Sequence, residues 1–222
     1  MTPNRLIALI TLIALSFFTA SACANNADTF AAGLKHISDA NLRKCLLKAQ
    51  VQHHWKTTKE VTQIKCHSKK ISSIQGLEQF SALTELSLFN NNIEHLQLPP
   101  FAQLRKLNIA KNPLTNLQLS HPTLEELFVF SANLQYLHLN LPAAITIRAN
   151  NNRLVEFNYQ QLNQLNKLYL FNNELPTMDI TRLPALVFLD VRQNPMPDEL
   201  YDKMDQLTHV TTFHDGNAED WQ

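Results

Sequence analysis

The chain has 222 residues, 19 basic and 19 acidic side chains, a formal charge of zero and 45% apolar residues. That balance suits one sizeable folded domain and excludes a disordered polyelectrolyte. It offers no basic field for nucleic acid, and with only three glycines there is no glycine-rich phosphate loop.

Residues 1–24 read as a targeting segment. Arg5 supplies the positive start, Leu6 to Phe18 is mostly apolar, and small residues follow from Thr19 to Ala24. This is the order of a secretory signal, and the run is too short for a membrane span. Two cleavage readings stay open. Ala20-x-Ala22 and Ala22-x-Ala24 suit an ordinary signal peptidase. Ser21-Ala22-Cys23 is similar to a bacterial lipobox, with Ala20 where leucine is usual, which makes Cys23 a candidate for lipidation.

Residues 25–60 are predicted to form an N-terminal cap. A loose lead over 25–32 precedes a helix over 40–53, capped by Ser38 or Asp39. Leu42, Leu46, Ala49 and Val51 approximate its apolar face.

From Val61 the chain repeats. Leu83-x-x-Leu86-x-Leu88-x-x-Asn91-x-Ile93 returns at Leu104, Leu165 and Leu186 with leucine, isoleucine or valine in the inner slots and Asn112, Asn173 or Asn194 in the polar one. A weaker copy starts at Val61. Degenerate copies start at Leu124, with Ala132 in the polar slot, and at Ala144. Asn133 is the neighbour expected to shift into the role that Ala132 cannot fill. A last partial copy is placed at Leu207, with Val210 and Thr212 inward and Asp215 in the polar slot. A period near 21 residues is the signature of a solenoid. The two apolar residues two apart point to one side of a short strand. The asparagine turns the chain, and its amide can serve backbone groups left unpaired at the bend. One such coil cannot bury its leucines alone, so stacked coils share a core. About eight strands give a parallel sheet roughly 34 Å long.

This frame resembles the leucine-rich repeat family over about Val61 to Asp215. The unit Ile71-Ser72-Ser73-Ile74-Gln75-Gly76-Leu77 is similar to that of bacterial internalin-type proteins. The shorter middle units depart from it. Their segments Leu117-Gln118-Leu119 and Leu137-His138-Leu139 alternate like a second short strand. The resemblance implies an α/β leucine-rich repeat solenoid with short parallel strands on its concave face. Residues 25–60 then form the helical cap, 61–197 the repeats and 198–222 the closing cap. The first coil needs that helical cap over its leucines and sheet edge.

Cys66 takes an inward slot of the first strand and Cys45 lies on the cap helix. In an exported chain the two can form a disulfide closing a loop of about 20 residues. The alternative is two buried free thiols. The same placement resembles the N-terminal caps of exported bacterial repeat proteins.

Pro195-Met196-Pro197 ends the ladder. Asp198 is expected to cap a helix over 199–207 with Leu200, Met204 and Leu207 on one face, followed by a strand over 210–213.

No catalytic constellation emerges. The histidines are scattered, Cys66-His67 lacks the spaced partners of a zinc site, and no hydrolase, metalloprotease or P-loop motif occurs. Neither a metal nor a cofactor is expected. Asp190 and Arg192 read as a surface pair. What the frame does offer is a surface. Phe89, Phe128, Phe130, Tyr169, Phe171, Phe188 and Phe213 fall in columns projecting from the concave side, with Arg148, Asn150 and Arg192 among them. Rigid aromatics are typical anchors for a partner protein, although aromatics also favour strands for their own sake. The expected function is an exported, non-catalytic binding module, periplasmic, lipid-anchored in the outer membrane or secreted. A structural envelope lipoprotein and a glycan binder that stacks sugars on the aromatics are the alternatives.

Overall fold

Ile64, Leu86, Leu107, Leu127, Ile147, Leu168 and Leu189 lie opposite one another in consecutive parallel strands, all with 0 or 1% of their surface exposed. That stack of inward leucines and isoleucines is the spine of the molecule. The computed structural model describes residues 28–216; the targeting segment and Cys23 lie outside them.

The spine belongs to an eight-stranded parallel sheet. Its strands, in spatial order, are β1 (Gln63–Lys65), β2 (Glu85–Ser87), β3 (Lys106–Asn108), β5 (Glu126–Phe128), β7 (Thr146–Arg148), β9 (Lys167–Tyr169), β10 (Phe188–Asp190) and β11 (Thr211–Phe213). The middle coils return through three further strands, β4 (Asn116–Ser120), β6 (Tyr136–Asn140) and β8 (Glu156–Gln160), which form a second parallel sheet. The alternation at Leu117/Leu119 and Leu137/Leu139 therefore makes real strands, with those leucines buried between the sheets. Each fully buried leucine contributes about 2 kcal/mol of transfer free energy, and in a solenoid it does so only because its neighbours are stacked on it. The fold is a leucine-rich repeat solenoid of about eight turns.

Asparagine amides close the turns. Asn91 Oδ1 accepts the Lys69 and Ile71 N–H groups at 2.9 and 3.1 Å, while its Nδ2 donates to the Cys66 and Leu88 carbonyls at 2.7 and 2.8 Å. Asn112, Asn152, Asn173 and Asn194 repeat the arrangement. Ala132 interrupts it, and Asn133 does not step in: Asn133 is exposed and left-handed (φ 66°). The Leu114 N–H bonds the Asn112 carbonyl within its own coil instead, at 2.8 Å. One further residue per coil, just before the polar slot, is left-handed. These are Ser68, Asn90, Lys111, Ser131, Asn151, Asn172 and Gln193, with φ between 54 and 57°.

The N-terminal cap is more ordered than a loose lead. Thr29 bridges Thr57, and α1 (Phe30–Lys35) packs Phe30 against Phe80 and Trp55, with ring centroids 5.9 Å apart in both cases. Then α2 (Ala40–His53) begins at Asp39, whose Oδ1 accepts the Asn41 and Leu42 N–H groups at 2.8 and 2.9 Å. Asp39 Oδ2 also takes the Ser72 N–H and hydroxyl, at 2.9 and 3.0 Å, tying the cap to the first coil. Leu42 and Leu46 are buried as expected, but Val51 is 71% exposed. Nine residues after Leu42, it lies about half a turn round the helix, on the side away from the apolar face. Cys45 and Cys66 are joined in a disulfide, their Cα atoms 6.0 Å apart. At Gly76 (φ 97°) an added Cβ would meet the His36 carbonyl at 2.1 Å, so the cap loop seats on the first coil only because that residue is glycine.

At the other end, α3 (Asp198–Asp205) starts directly after Pro197, which has no side-chain cap bond to offer. Asp198 is thus the first helical residue and not the cap; with Glu199 it places negative charge in the first turn, where the helix dipole favours it. Met204 is buried and Leu200 and Leu207 are partly buried. Tyr201, which the apolar pattern did not single out, is also buried and stacks on His214 at 4.6 Å. The last strand is out of the expected register. Thr211, not His209, pairs with Phe188, and Phe213, not Thr211, pairs with Asp190. The α3 excursion lengthens that coil by two residues.

Candidate functional site

The open face of the long sheet is set by the residues flanking the spine. In register across β5, β7, β9, β10 and β11 run Phe128, Arg148, Tyr169, Asp190 and Phe213. Beside them run Glu126, Thr146, Lys167, Phe188 and Thr211. Parallel strands about 4.8 Å apart hold such rows within stacking range.

The rings and cations of this face form a nearly continuous line. The Lys106 ammonium sits 5.1 Å from the Phe128 ring. The Arg148 guanidinium lies between Phe128 and Tyr169, at 5.9 and 4.5 Å. Tyr169 packs on Phe188 at 4.9 Å, and Phe188 on Phe213 at 5.5 Å. Arg192 completes the line, 5.3 Å from Phe213 and 6.0 Å from Phe171. A second, smaller group lies toward the N-terminal end. There His67 meets Phe89 edge-on at 5.9 Å, Phe89 meets Phe130 at 6.2 Å, and Lys111 sits 5.4 Å over Phe89.

The expected patch of Phe128, Phe130, Tyr169 and Phe171 is therefore divided differently. Phe128 and Tyr169 are joined through Arg148, whereas Phe130 belongs with Phe89 and Phe171 with Arg192. Asn150, which falls between Phe130 and Phe171, is only 9% exposed and so is not part of the open surface; its carbonyl accepts the Ser131 N–H at 3.1 Å. Every aromatic on this face is half-buried, shielded by a neighbouring ring or cation. Phe213 joins the line in the Asp190 row, two residues away in register from where the repeat frame put it. Lys106 and Lys111 take part as well, although among the cations the sequence singled out only Arg148 and Arg192. The columns held the signal for Lys106, since a lysine two residues before the register partner of Phe128 is a cation within reach of that ring.

Charges on this face are largely matched. Lys65 pairs with Glu85 at 3.0 Å and Lys106 with Glu126 at 2.9 Å. Arg192 holds Asp190 in a two-point contact, Nε to Oδ1 at 3.0 Å and Nη2 to Oδ2 at 2.7 Å. That hydrogen-bonded carboxylate raises the Arg192 pKa against the opposing effect of burial, with the charges of Asp190 and Asp215 adding to it.

The second sheet offers a shallower feature. Gln118, His138 and Asn158 stand in register on its outer face, beside Ser120, Asn140 and Gln160. They line a trough of about 490 Å³ that Arg182 borders. Its polar groups mostly engage one another: Asn140 donates to Ser120 at 3.4 Å, Asn158 bonds Glu156, and His138 lies 3.3 Å from Glu156. Among the described residues no group of three or more His, Cys, Asp or Glu side chains is placed to hold a metal ion.

No protein-family model and no curated protein matches the chain. Solved structures do. Internalin C2 of Listeria monocytogenes superposes with a TM-score of 0.54 at 15% identity, over 82% of this chain and 96% of that one. The leucine-rich repeat domain of a Shigella effector superposes with a TM-score of 0.53 at 15% identity, over 86% of this chain and 91% of that one. At such identities the likeness is one of fold.

Proposed function

We propose that this leucine-rich repeat solenoid is a non-catalytic binding module that takes another protein against the open face of its long sheet. The observation that carries the reading is the line from Lys106 through Phe128, Arg148, Tyr169, Phe188 and Phe213 to Arg192. Rings fixed by one another lose little conformational freedom when a partner covers them, and desolvated aromatics and arginines are the usual anchors of interfaces. Toward its N-terminal end the face is polar through the Lys65–Glu85 and Lys106–Glu126 pairs, and interface rims are polar in the same way.

The setting we propose is outside the cytoplasm. The Cys45–Cys66 bond supports it, because structural disulfides persist in oxidising compartments. The signal-like segment over 1–24 points the same way, and the mass of the mature N-terminus separates a lipid on Cys23 from simple removal.

The test is quantitative capture of a partner by the exported protein and by the double variant Phe128→Ala with Tyr169→Ala. Binding falls at least tenfold while the melting temperature stays within a few degrees. Gln118→Ala on the second sheet serves as the control and changes nothing. Equal binding by the double variant places the working surface elsewhere.

A further inference from the structure

Two arginines on the open face have the same setting and differ in one respect. Arg192 lies over Phe171 and Phe213, and its guanidinium is filled by the nearly buried Asp190 carboxylate. Arg148 lies over Phe128 and Tyr169, is exposed, and has no carboxylate within ion-pair distance among the described residues. The middle row carries Asp190 in β10, but its register positions in β5 and β9 are taken by Phe128 and Tyr169.

From this contrast we infer that Arg148 is the docking point for a carboxylate in an acidic peptide segment of the partner. The inference rests on the reading of the open face as a protein-binding surface. A guanidinium held against rings is pre-oriented, and stacking leaves its planar N–H edge available for a bidentate contact. The Asp190–Arg192 pair shows the same contact made within the chain. The charge balance agrees. Lys65 and Lys106 are neutralised by Glu85 and Glu126. Among the described residues Arg148 and Lys167 are not, and Lys167 stands in register with Thr146, two residues before Arg148 on the neighbouring strand. Apart from Lys111, which lies over Phe89 toward the N-terminal end, the unmatched positive charge of the open face thus lies beside the ring line. An acidic side chain reaching Arg148 leaves its own peptide's apolar neighbours over Tyr169 and Phe188. A chain bearing carboxylates between apolar residues fits both halves of that surface.

The experiment selects binders from a random dodecapeptide phage library on the exported protein, then measures the best synthetic peptide by calorimetry. Enriched peptides carry Asp or Glu beside an apolar residue. Arg148→Gln weakens the best peptide at least tenfold. Arg148→Lys, which keeps the charge but loses the fork, weakens it at least threefold. Changing the peptide's acid to its amide costs as much as Arg148→Gln, and the two losses do not add. Peptides that lose binding with Phe128→Ala plus Tyr169→Ala but bind Arg148→Gln at full strength overturn the inference and leave the open-face reading standing. A best peptide that binds ten times tighter with phosphoserine in place of its acid overturns the carboxylate assignment. Binders indifferent to every open-face change, or no binders, overturn both.

Discussion

Asn152 Oδ1 accepts the backbone N–H of Ala132, one coil back, at 2.8 Å. The same oxygen takes the Leu134 N–H, and Nδ2 donates to the Val129 and Ala149 carbonyls. One amide thus serves four backbone groups beside the coil that lacks its own asparagine. Leaving buried backbone groups unsatisfied costs about 1–3 kcal/mol each before relaxation. Asn152→Ala is expected to cost about 3 kcal/mol, and more than Asn112→Ala, whose amide serves the Ile93 N–H and the Leu88 and Ile109 carbonyls. Urea denaturation of both variants decides it, and an equal or smaller loss at Asn152 contradicts the argument.

Hydrogen exchange should show the first coil losing protection when its staple is removed. Cys45 and Cys66 are 21 positions apart, and closing a loop of that size is worth about 3 kcal/mol on the chain-entropy account. Cys66→Ser should lower stability by about that amount, with faster exchange at Ile64 and in α2 before the middle coils respond. Unchanged exchange there would assign the bridge no structural role.

The left-handed position at this bend is filled by asparagine in three coils and by Ser68, Lys111, Ser131 and Gln193 in the other four. A residue with a Cβ is strained there, and asparagine the least so among side-chain-bearing residues. Ser131→Asn should raise stability by about 0.5 kcal/mol, and Ser131→Val should lower it by more. Thermal melts of the pair read the sign directly.

Tyr159 gives the molecule an alkaline limit. Burial pushes its pKa up to about 12, the Asp179 charge adding and Arg182 opposing, and its hydroxyl donates to the Asp179 carbonyl. The folded value lies above the unfolded one of about 10. The neutral phenol therefore contributes fully below about pH 10, and that contribution is lost as the pH rises toward 12. Burial raises the Tyr201 pKa as well, so spectrophotometric titration should show late-ionising tyrosine absorbance that Tyr159→Phe diminishes by one group, together with a shallower fall in stability over that range.

Asp39 sets the corresponding acid limit. Burial alone would raise its pKa, but hydrogen bonds from the Ser72, Leu42 and Asn41 backbone and the Ser72 hydroxyl outweigh it and hold the carboxyl below its usual range. Its stabilisation is present above the ordinary aspartate pKa and is lost as the pH falls through the lowered value. Asp39→Asn should flatten the acid limb of the stability curve, measured by denaturation between about pH 5 and 2; an unchanged limb rules the group out.

The spine and the second sheet could be read from the sequence because leucine spacing reports which side of a strand each residue faces. The same alternation cannot see a slip of two residues, which leaves every side chain on its own face. That is why Phe213 was assigned to the right surface and the wrong row. Asn150 was expected outside because it falls in an outward column; it follows the strand, where the chain already bends inward toward Asn152. The left-handed positions went unseen because lysine, serine and glutamine occupy four of the seven and no glycine marks the bend. Likewise, Val51 was grouped with the apolar face, although helical spacing puts it about half a turn from Leu42, on the solvent side of α2. The pairing of Arg148 with two rings was foreshadowed, because three residues in register on adjacent strands must touch. Which aromatics group together was not, since that depends on side-chain direction beyond the strand ends.

The bond between Cys45 and Cys66 also gives the molecule a mechanical direction. Each coil is held chiefly by its neighbours, so a force applied through both ends peels coils from the β11 side. Each released coil adds about 21 residues, or roughly 70 Å of contour. The 45–66 segment stays locked out of that extension until the bridge is reduced. An optical-tweezers trace should therefore show a sawtooth of near-equal steps, with one further increment of similar length appearing only in the presence of a thiol.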